Sequence, residues 1–211
     1  MRTVLLTGFE AFGGEKINPS GEIARALDGR VLQQRRVTGA VLPCVFGAAK
    51  VELRRLVRAL RPELVICLGQ AGGRAQVTPE RVAINIDDAA IPDNAGARPV
   101  DRRIEARGPA AYWSTLPIKA IVAALRRRKI PAAVSQTAGT FVCNHVFYEL
   151  MHLLRSRRGT RGGFIHVPFL PGQTKDQPSL TLAVMTQAVE VAIATALRHR
   201  RDGRETGGQT Q

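Results

Sequence analysis

Residues 64–73 read Leu-Val-Ile-Cys-Leu-Gly-Gln-Ala-Gly-Gly, an apolar run that ends in a glycine-rich segment. A short apolar run bounded by turn residues is typical of a buried strand. Within it, Cys67 is predicted to fill the core, because a free cysteine behaves as a small apolar residue. The glycines that follow lack the spacing of a dinucleotide-binding or phosphate-binding loop. They therefore indicate tight turns after the strand.

Strands and helices alternate along the chain on both sides of this run. The predicted strands span residues 2–7, 37–42, 64–68, 81–87, 132–135 and 164–167. The predicted helices span residues 20–27, 48–61, 116–128, 143–157 and 179–200. Thr115 is predicted to cap the third helix, and Pro178-Ser179 to open the last. Residues 69–109 contain few helix signals and are predicted to form a hairpin and a loop.

This alternation predicts an α/β fold, a single-domain α/β/α sandwich around a mostly parallel twisted sheet. In such sheets, functional sites form where the strands end at their carboxyl termini. The chain has 211 residues, which suits one domain. We expect that domain to span residues 1–200. Residues 201–211 are polar and rich in glycine, and they are predicted to be a flexible tail.

Composition excludes several classes of protein. Apolar residues make up 45% of the chain, yet no apolar run is long enough to predict a membrane span, and the first strand is too short to be a signal peptide. Three cysteines do not suggest a disulfide framework, which favours a reduced, cytoplasmic protein. No metal-ligand spacing appears, and no cofactor is predicted.

The formal net charge of +14 raises the hypothesis of nucleic-acid binding. The basic clusters at 126–129, 155–158 and 198–201 each follow a predicted helix, where cations interact favourably with the helix dipole. Aromatic residues are only 5% of the chain, so surfaces on which bases could stack are scarce. These features predict no specific nucleic-acid binding, only non-specific adhesion to polyanions at low salt.

Cys143 is the strongest candidate for a functional residue. It lies in Gly139-Thr-Phe-Val-Cys-Asn-His145, at the start of a predicted helix. The positive end of a helix dipole lowers the pKa of a thiol and favours the nucleophilic thiolate. The alternative is that Cys143 is a small core residue.

A nucleophilic thiol needs a base, and geometry separates the four histidines. His145 and His152 would point away from Cys143 on the same helix. His199 lies in a basic, solvated stretch. His166 remains, at the end of the predicted strand 164–167, from which it can reach the loop that holds Cys143. A hydrogen-bonded core histidine is the alternative for His166.

Four segments together resemble the pyroglutamyl peptidase I family, also called pyrrolidone-carboxylate peptidases. The segments are Leu6-Thr-Gly-Phe-Glu-Ala-Phe-Gly-Gly14 with Asn18-Pro-Ser20; Gly69-Gln-Ala-Gly-Gly73 with Glu80-Arg-Val-Ala-Ile-Asn85 and Ile91-Pro-Asp-Asn94; Thr137-Ala-Gly-Thr-Phe-Val-Cys-Asn-His145; and Phe164-Ile-His-Val-Pro-Phe-Leu-Pro171. The resemblance extends from about Thr3 to Arg198. Each motif is weak alone, but four in this order at fitting spacing are a specific match.

The resemblance implies a thiol protease that removes an N-terminal pyroglutamyl residue from peptides through an acyl-enzyme. Its triad would be Cys143, His166 and Glu80. The residues alone do not distinguish Glu80 from Asp87, Asp88 or Asp93. The family also implies a homotetramer. The matching substrate-binding positions are Phe9, Phe12, Gln70, Ile91, Phe141 and Val142.

The chain departs from the family pattern at two positions. Ala90 stands where the family commonly has an arginine that helps to stabilise the oxyanion, and Arg74 or Arg81 could substitute for it. Cys44 stands where small or hydroxyl-bearing residues are usual near the ring pocket. Two alternatives therefore stay open: a cysteine hydrolase of the same fold with altered specificity or reduced activity, and a non-catalytic polyanion-binding protein.

Overall fold

The computed structural model describes residues 2–157 and 159–208. Four parallel strands form the centre of its main sheet. They are β1 (Thr3–Phe9), β3 (Arg35–Leu42), β4 (Leu64–Gln70) and β8 (Arg161–Val167). Two short antiparallel strands, β2 (Val31–Leu32) and β5 (Thr78–Pro79), complete the order β2-β3-β1-β4-β8-β5. A separate hairpin pairs β6 (Val82–Ile84) with β7 (Ala111–Trp113).

Within the described residues, five helices cover the two faces of this sheet. One face packs against α1 (Pro19–Leu27), α3 (Ile118–Arg127) and α5 (Leu182–Arg198). The other packs against α2 (Phe46–Leu60) and α4 (Val142–Leu154). The predicted α/β fold, with a mostly parallel sheet, is confirmed.

The predicted strand 132–135 is wrong: these residues form only isolated bridges, Val77 to Ala132 and Glu80 to Ser135. The backbone N–H groups of Ala133 and Ser135 donate to Val77 and Pro79, respectively. Pro79 has no N–H to return, so one hydrogen bond of the ladder is missing and no regular strand forms.

The predicted strand 81–87 is shorter than expected and belongs to the small hairpin rather than to the main sheet. The Asn144 side chain explains where it ends. Its amide accepts from the N–H of Ile84 at 3.0 Å and donates to the carbonyls of Ile84 and Ile86 at 2.9 and 3.0 Å. A side chain therefore takes the place of a neighbouring strand.

Both predicted helix starts at proline are corrected. Thr115 does not cap α3, because its hydroxyl exchanges hydrogen bonds with the backbone of Gly162, and the helix begins at Ile118. The last helix begins at Leu182, where the Thr181 hydroxyl accepts from the N–H of Val184.

α2 starts earlier than predicted, at Phe46, whose N–H donates to the Asp93 carboxylate at 3.1 Å.

Basic residues lie in the last turns of α3 and α5, as the charge pattern predicts. Arg158, in the second basic cluster, lies outside the described residues. In the predicted tail, the Asp202 carboxylate accepts from the backbone N–H groups of Lys119 and Ala120 at the start of α3. Residues 209–211 of that tail lie outside the described residues.

Candidate active site

Cys143 is the second residue of α4, which confirms its predicted place at a helix N-terminus. The helix is preceded by Gly139, whose φ of 74° lies in the left-handed region that favours glycine. Its N-cap residue, Phe141, makes no capping hydrogen bond with its side chain. The backbone N–H groups of its first turn are therefore available to an approaching oxygen. Cys143 itself is partly exposed.

Gly69, at the end of β4, makes room for the thiol. A Cβ atom at this position would lie 2.7 Å from the Cys143 Sγ and 2.8 Å from the ring of Phe164. Both distances are too short for any side chain. Gly69 therefore lets the Cys143 thiol pack closely against β4, and it is not part of the tight turn that the sequence suggested.

His166 lies in β8 directly opposite Gly69 in the parallel register. Paired positions of neighbouring strands face the same side of a sheet, so the imidazole and the Cys143 thiol border the same point. The Phe164 ring, two residues earlier on that face, has its centroid 4.8 Å from that of His166. The carboxyl ends of β4 and β8 and the N-terminus of α4 thus converge.

Glu80 completes this cluster from the segment after β5. Its Oε1 is 2.7 Å from Nδ1 of His166, and both side chains are buried. The Glu80 N–H donates to the carbonyl of Phe164 at 2.9 Å, which holds the carboxylate beside β8. Arg74 donates to the same Oε1 at 2.7 Å.

The electrostatics of Cys143 differ from the prediction of a preformed thiolate. Burial raises the pKa of the Cys143 thiol well above its ordinary value, and the neighbouring Cys44 and Glu80 raise it further, while Arg74 lowers it. Burial likewise raises the pKa of Cys44 and of Cys67 to about 12. Desolvation therefore acts against the lowering that the helix N-terminus predicts.

The other histidines have other partners. Nδ1 of His145 lies 3.0 Å from a buried Asp87 oxygen, and its ring packs edge-on against Phe46. Nδ1 of His152 lies 2.9 Å from the Tyr112 hydroxyl. Within the described residues, His166 is thus the histidine that the fold pairs with Glu80.

Only some of the predicted substrate-binding residues form one surface. The rings of Phe12 and Phe141 are 5.8 Å apart, and Ile91 is 42% exposed. Phe9 is only 2% exposed and packs against Phe164. Its backbone N–H is held by the Ser20 hydroxyl.

Gln70 and Val142 offer main-chain groups rather than side chains. The Gln70 side-chain oxygen accepts from Gln173 at 3.0 Å, and the Val142 side chain is fully buried. Gln173 also donates to the carbonyl of Ile17 at 3.2 Å, so it links the end of β4 to the segment before α1. Sequence reasoning missed Gln173, since its partners are distant in the chain.

The Ile91-Pro-Asp-Asn94 motif is explained by hydrogen bonds. Asp93 accepts from the N–H groups of Phe46, Ala95 and Ala97, so it caps α2 and closes its own turn. The Asn94 amide donates to Glu10 and to the carbonyl of Ala11. The motif thus fixes the loop that carries Ile91 against the end of β1.

Position 90 offers no cation, and the two candidate substitutes differ. Ala90 is exposed. Arg81 faces away from the cluster, toward the Gln136 side chain and the carbonyl of Gly207. Arg74 lies at the cluster, where it contacts Glu80.

Comparison with known proteins agrees with this geometry. The sequence model of the family described as pyroglutamyl peptidase matches residues 2–199. The chain belongs to the pyroglutamyl peptidase family. It is 58% identical to the pyrrolidone-carboxylate peptidase of Cupriavidus pinatubonensis over an alignment of 214 residues that covers 99% of each chain. It is 56% identical to the pyrrolidone-carboxylate peptidase of Klebsiella pneumoniae over an alignment of 213 residues that covers 100% of each chain.

Solved members of the pyroglutamyl peptidase family share the fold. Pyroglutamyl peptidase I of Bacillus amyloliquefaciens superposes with a TM-score of 0.93 at 49% identity, over 96% of this chain and 100% of that one. Pyrrolidone carboxyl peptidase of Thermococcus litoralis superposes with a TM-score of 0.94 at 39% identity, over 98% and 99%. These identities are high enough to compare sites as well as folds.

The described residues contain no cluster of three or more His, Cys, Asp or Glu side chains that could hold a metal ion. Across 2–157 and 159–208, no helix combines the length and apolar character needed to cross a membrane.

Proposed function

We propose that this chain hydrolyses the bond after an N-terminal pyroglutamyl residue, with Cys143 as nucleophile, His166 as general base and acid, and Glu80 as the group that orients the imidazole. The observation that carries the proposal is the buried Glu80–His166 pair, whose strand position adjoins the thiol across Gly69. Membership of the pyroglutamyl peptidase family supports the substrate class.

The tautomer of His166 follows from its partner. Nδ1 holds its proton toward the Glu80 carboxylate, which leaves the Nε2 lone pair free to accept one. Because burial raises the pKa of Cys143, the thiol transfers its proton to Nε2 as the sulfur attacks the carbonyl carbon. The imidazolium then protonates the leaving amine, and water hydrolyses the thioester with His166 again as base.

The oxyanion formed in each half-reaction needs hydrogen-bond donors. The uncapped first turn of α4 supplies backbone N–H groups, including that of Cys143. This arrangement requires no side chain at position 90. It accounts for a working site in which Ala90 replaces the family's arginine.

Recognition of the pyroglutamyl ring is proposed to combine apolar walls with main-chain hydrogen bonds. Phe12, Phe141 and Ile91 would border the flat ring, and main-chain groups near Gln70 and Val142 would pair with its one N–H and one carbonyl. A proline ring lacks the lactam oxygen and leaves a donor unpaired. Such a site can reject the analogue by about 10⁴-fold.

We also propose that the enzyme acts on peptides in the cytoplasm as a homo-oligomer, a tetramer by family resemblance, without specific nucleic-acid or membrane partners. Free cysteines are consistent with a reducing compartment. The exposed apolar side chains of Val51, Val100 and Trp113, which are 68%, 73% and 69% exposed, suit burial between copies.

The test is release of a chromogenic amine from its pyroglutamyl conjugate, with the prolyl conjugate as control. We expect the wild type to turn over only the pyroglutamyl compound, and Cys143→Ala to lose that activity while it keeps its melting temperature. Equal turnover of the prolyl compound, or an active Cys143→Ala, would contradict the proposal.

The second candidate is a cysteine hydrolase of the same fold with another acyl specificity or with reduced activity. It stays open because Ala90 stands where the family commonly has an arginine. It predicts that a thiol-directed probe labels Cys143 in a folded enzyme that leaves the pyroglutamyl conjugate intact. Labelling together with pyroglutamyl turnover would exclude another acyl specificity, and a high kcat/KM for the pyroglutamyl conjugate would also exclude reduced activity.

A further inference from the structure

Arg74 connects the two halves of the proposed triad. It lies between β4 and β5, and its side chain is 29% exposed. Nη1 donates to the Glu80 Oε1 and to the Thr78 hydroxyl, both at 2.7 Å, and Nη2 donates to the carbonyl of Thr137 at 3.0 Å. Thr137 belongs to the loop that leads into α4. One guanidinium therefore ties the orienting carboxylate to the segment that carries Cys143.

Glu80 needs a compensating cation. Its side chain is fully buried, and its Oε1 lies against Nδ1 of His166. Its second oxygen, Oε2, has no hydrogen-bond partner among the described residues. Burying an unpaired carboxylate is costly, and an ion pair with further hydrogen bonds offsets much of that cost. Arg74 supplies this pair through the same oxygen that holds His166.

The charge of Arg74 also affects the pKa of the Cys143 thiol. The groups around Cys143 are Cys44 after β3, Cys67 in β4, Glu80 after β5 and, across Gly69, His166 in β8. Cys44, Cys67 and Glu80 all raise the pKa of Cys143, whereas Arg74 lowers it. Arg74 thus opposes the effect of the Glu80 carboxylate on the Cys143 thiol.

We infer that Arg74 is a positioning residue of this site: it holds Glu80 against His166 and ties the Cys143 loop to both. Its positive charge also acts on the Cys143 thiol. This inference rests on the proposed function. Three of the five guanidinium N–H groups are engaged in these contacts, and they hold Arg74 at Glu80 and at the loop before α4.

The experiment compares Arg74→Gln, Arg74→Lys and the matched control Arg81→Gln. Arg81→Gln removes the same charge one residue from Glu80, but its guanidinium contacts Gln136 and Gly207. Two quantities are measured for each folded variant. One is kcat/KM for the pyroglutamyl conjugate. The other is the rate of Cys143 alkylation by iodoacetamide from about pH 6 to about pH 10, a range that includes the ordinary cysteine pKa. Cys143→Ala provides the alkylation blank.

For Arg74→Gln we expect kcat/KM to fall by about 100-fold, as for a misplaced catalytic group. The alkylation profile should move to higher pH by roughly one unit, because a neighbouring cation is lost. Arg74→Lys should restore the alkylation profile but only part of kcat/KM, since one ammonium cannot make the same forked contacts. Arg81→Gln should stay within about twofold of wild type in both quantities.

Superposition of the Arg74→Gln alkylation profile on that of Arg81→Gln would overturn the electrostatic role, and an unchanged kcat/KM would overturn the positioning role. If Arg74→Gln does not fold, Arg74→Lys decides: kcat/KM equal to wild type refutes the forked contacts. A wild type that alkylates normally but leaves the pyroglutamyl conjugate intact refutes the proposed function, whereas the alkylation arm still tests Arg74.

Discussion

Helices α4 and α5 pack on opposite faces of the same sheet, and their buried residues differ in kind. Buried positions of α5 are almost all small or aliphatic, with Thr195 the polar exception. Buried positions of α4 include Asn144, His145 and Glu149. Each of these three bonds to residues far away in the chain. The buried side of α5 is almost entirely apolar, while the α4 face also holds polar groups in fixed places.

The two faces meet in β8, where neighbouring residues point to opposite sides. Ile165 packs in the α5 layer, and His166 faces the α4 layer. Alternate residues of this one strand therefore have different roles. Ile165 contributes apolar burial, and His166 contributes a hydrogen-bonded group beside a thiol. Substitutions in the two layers should therefore affect different measurements.

The largest expected effect separates these two neighbours. His166→Ala should reduce kcat/KM by at least about 1,000-fold, because the base is lost, with little change in the melting temperature. Ile165→Ala should instead destabilise the fold by about 2–5 kcal/mol through a cavity. Steady-state kinetics and urea unfolding of both variants test this. An active His166→Ala would contradict the division between the faces.

The next effect concerns stability on each helix. Asn144→Ala should lower the free energy of unfolding by about 3 kcal/mol, because it leaves backbone groups of Ile84 and Ile86 without partners in a buried site. Ile193→Val on α5 should cost only about 1 kcal/mol. Urea unfolding measures both. Equal losses would mean that the polar contacts of α4 contribute no more than ordinary packing.

The smallest effect depends on pH. The Lys50 ammonium donates to Glu105 at 2.6 Å and lowers the pKa of that carboxyl from 4.5 to about 2. Because the folded pKa is depressed, Glu105 stabilises the fold above its ordinary pKa, and this contribution is lost as pH falls from about 4.5 to about 2.

Glu105→Gln should therefore cost on the order of 1 kcal/mol near neutral pH, after allowance for solvent screening, and nothing near pH 2. Glu149, whose pKa burial raises, gives the opposite slope, so the variant is compared with wild type at each pH. Glu190→Gln on α5, which breaks a more exposed pair with Arg30, is the control and should change little. A Glu105→Gln deficit that persists at pH 2 would refute the linkage.

Local patterns predicted the strands and helices of the sandwich well. The central strands β1, β3, β4 and β8 and all five helices lie within a few residues of their predicted ranges. Apolar periodicity defines these elements, and this pattern can be recognised within a short stretch of consecutive residues. The misplaced strand at 132–135 depends on Pro79, a residue of another segment that lacks an N–H. No local pattern reports that partner.

The choice of the orienting carboxylate shows the same limit. Sequence reasoning alone left Glu80, Asp87, Asp88 and Asp93 open. In the fold, Asp87 binds His145, Asp93 caps α2 and Asp88 is exposed, while Glu80 meets His166. Only family resemblance could select Glu80 in advance, because its partner lies 86 residues away in the chain.

By itself, the sequence determined the layered α/β architecture, the position of Cys143 at a helix start and the place of His166 at a strand end, since each depends on residues close together in the chain. The tertiary structure decided which carboxylate holds His166, why Gly69 must be glycine, how Arg74 links both halves of the site and why the pKa of Cys143 is raised. Those features depend on distances and desolvation that arise only when remote segments pack together.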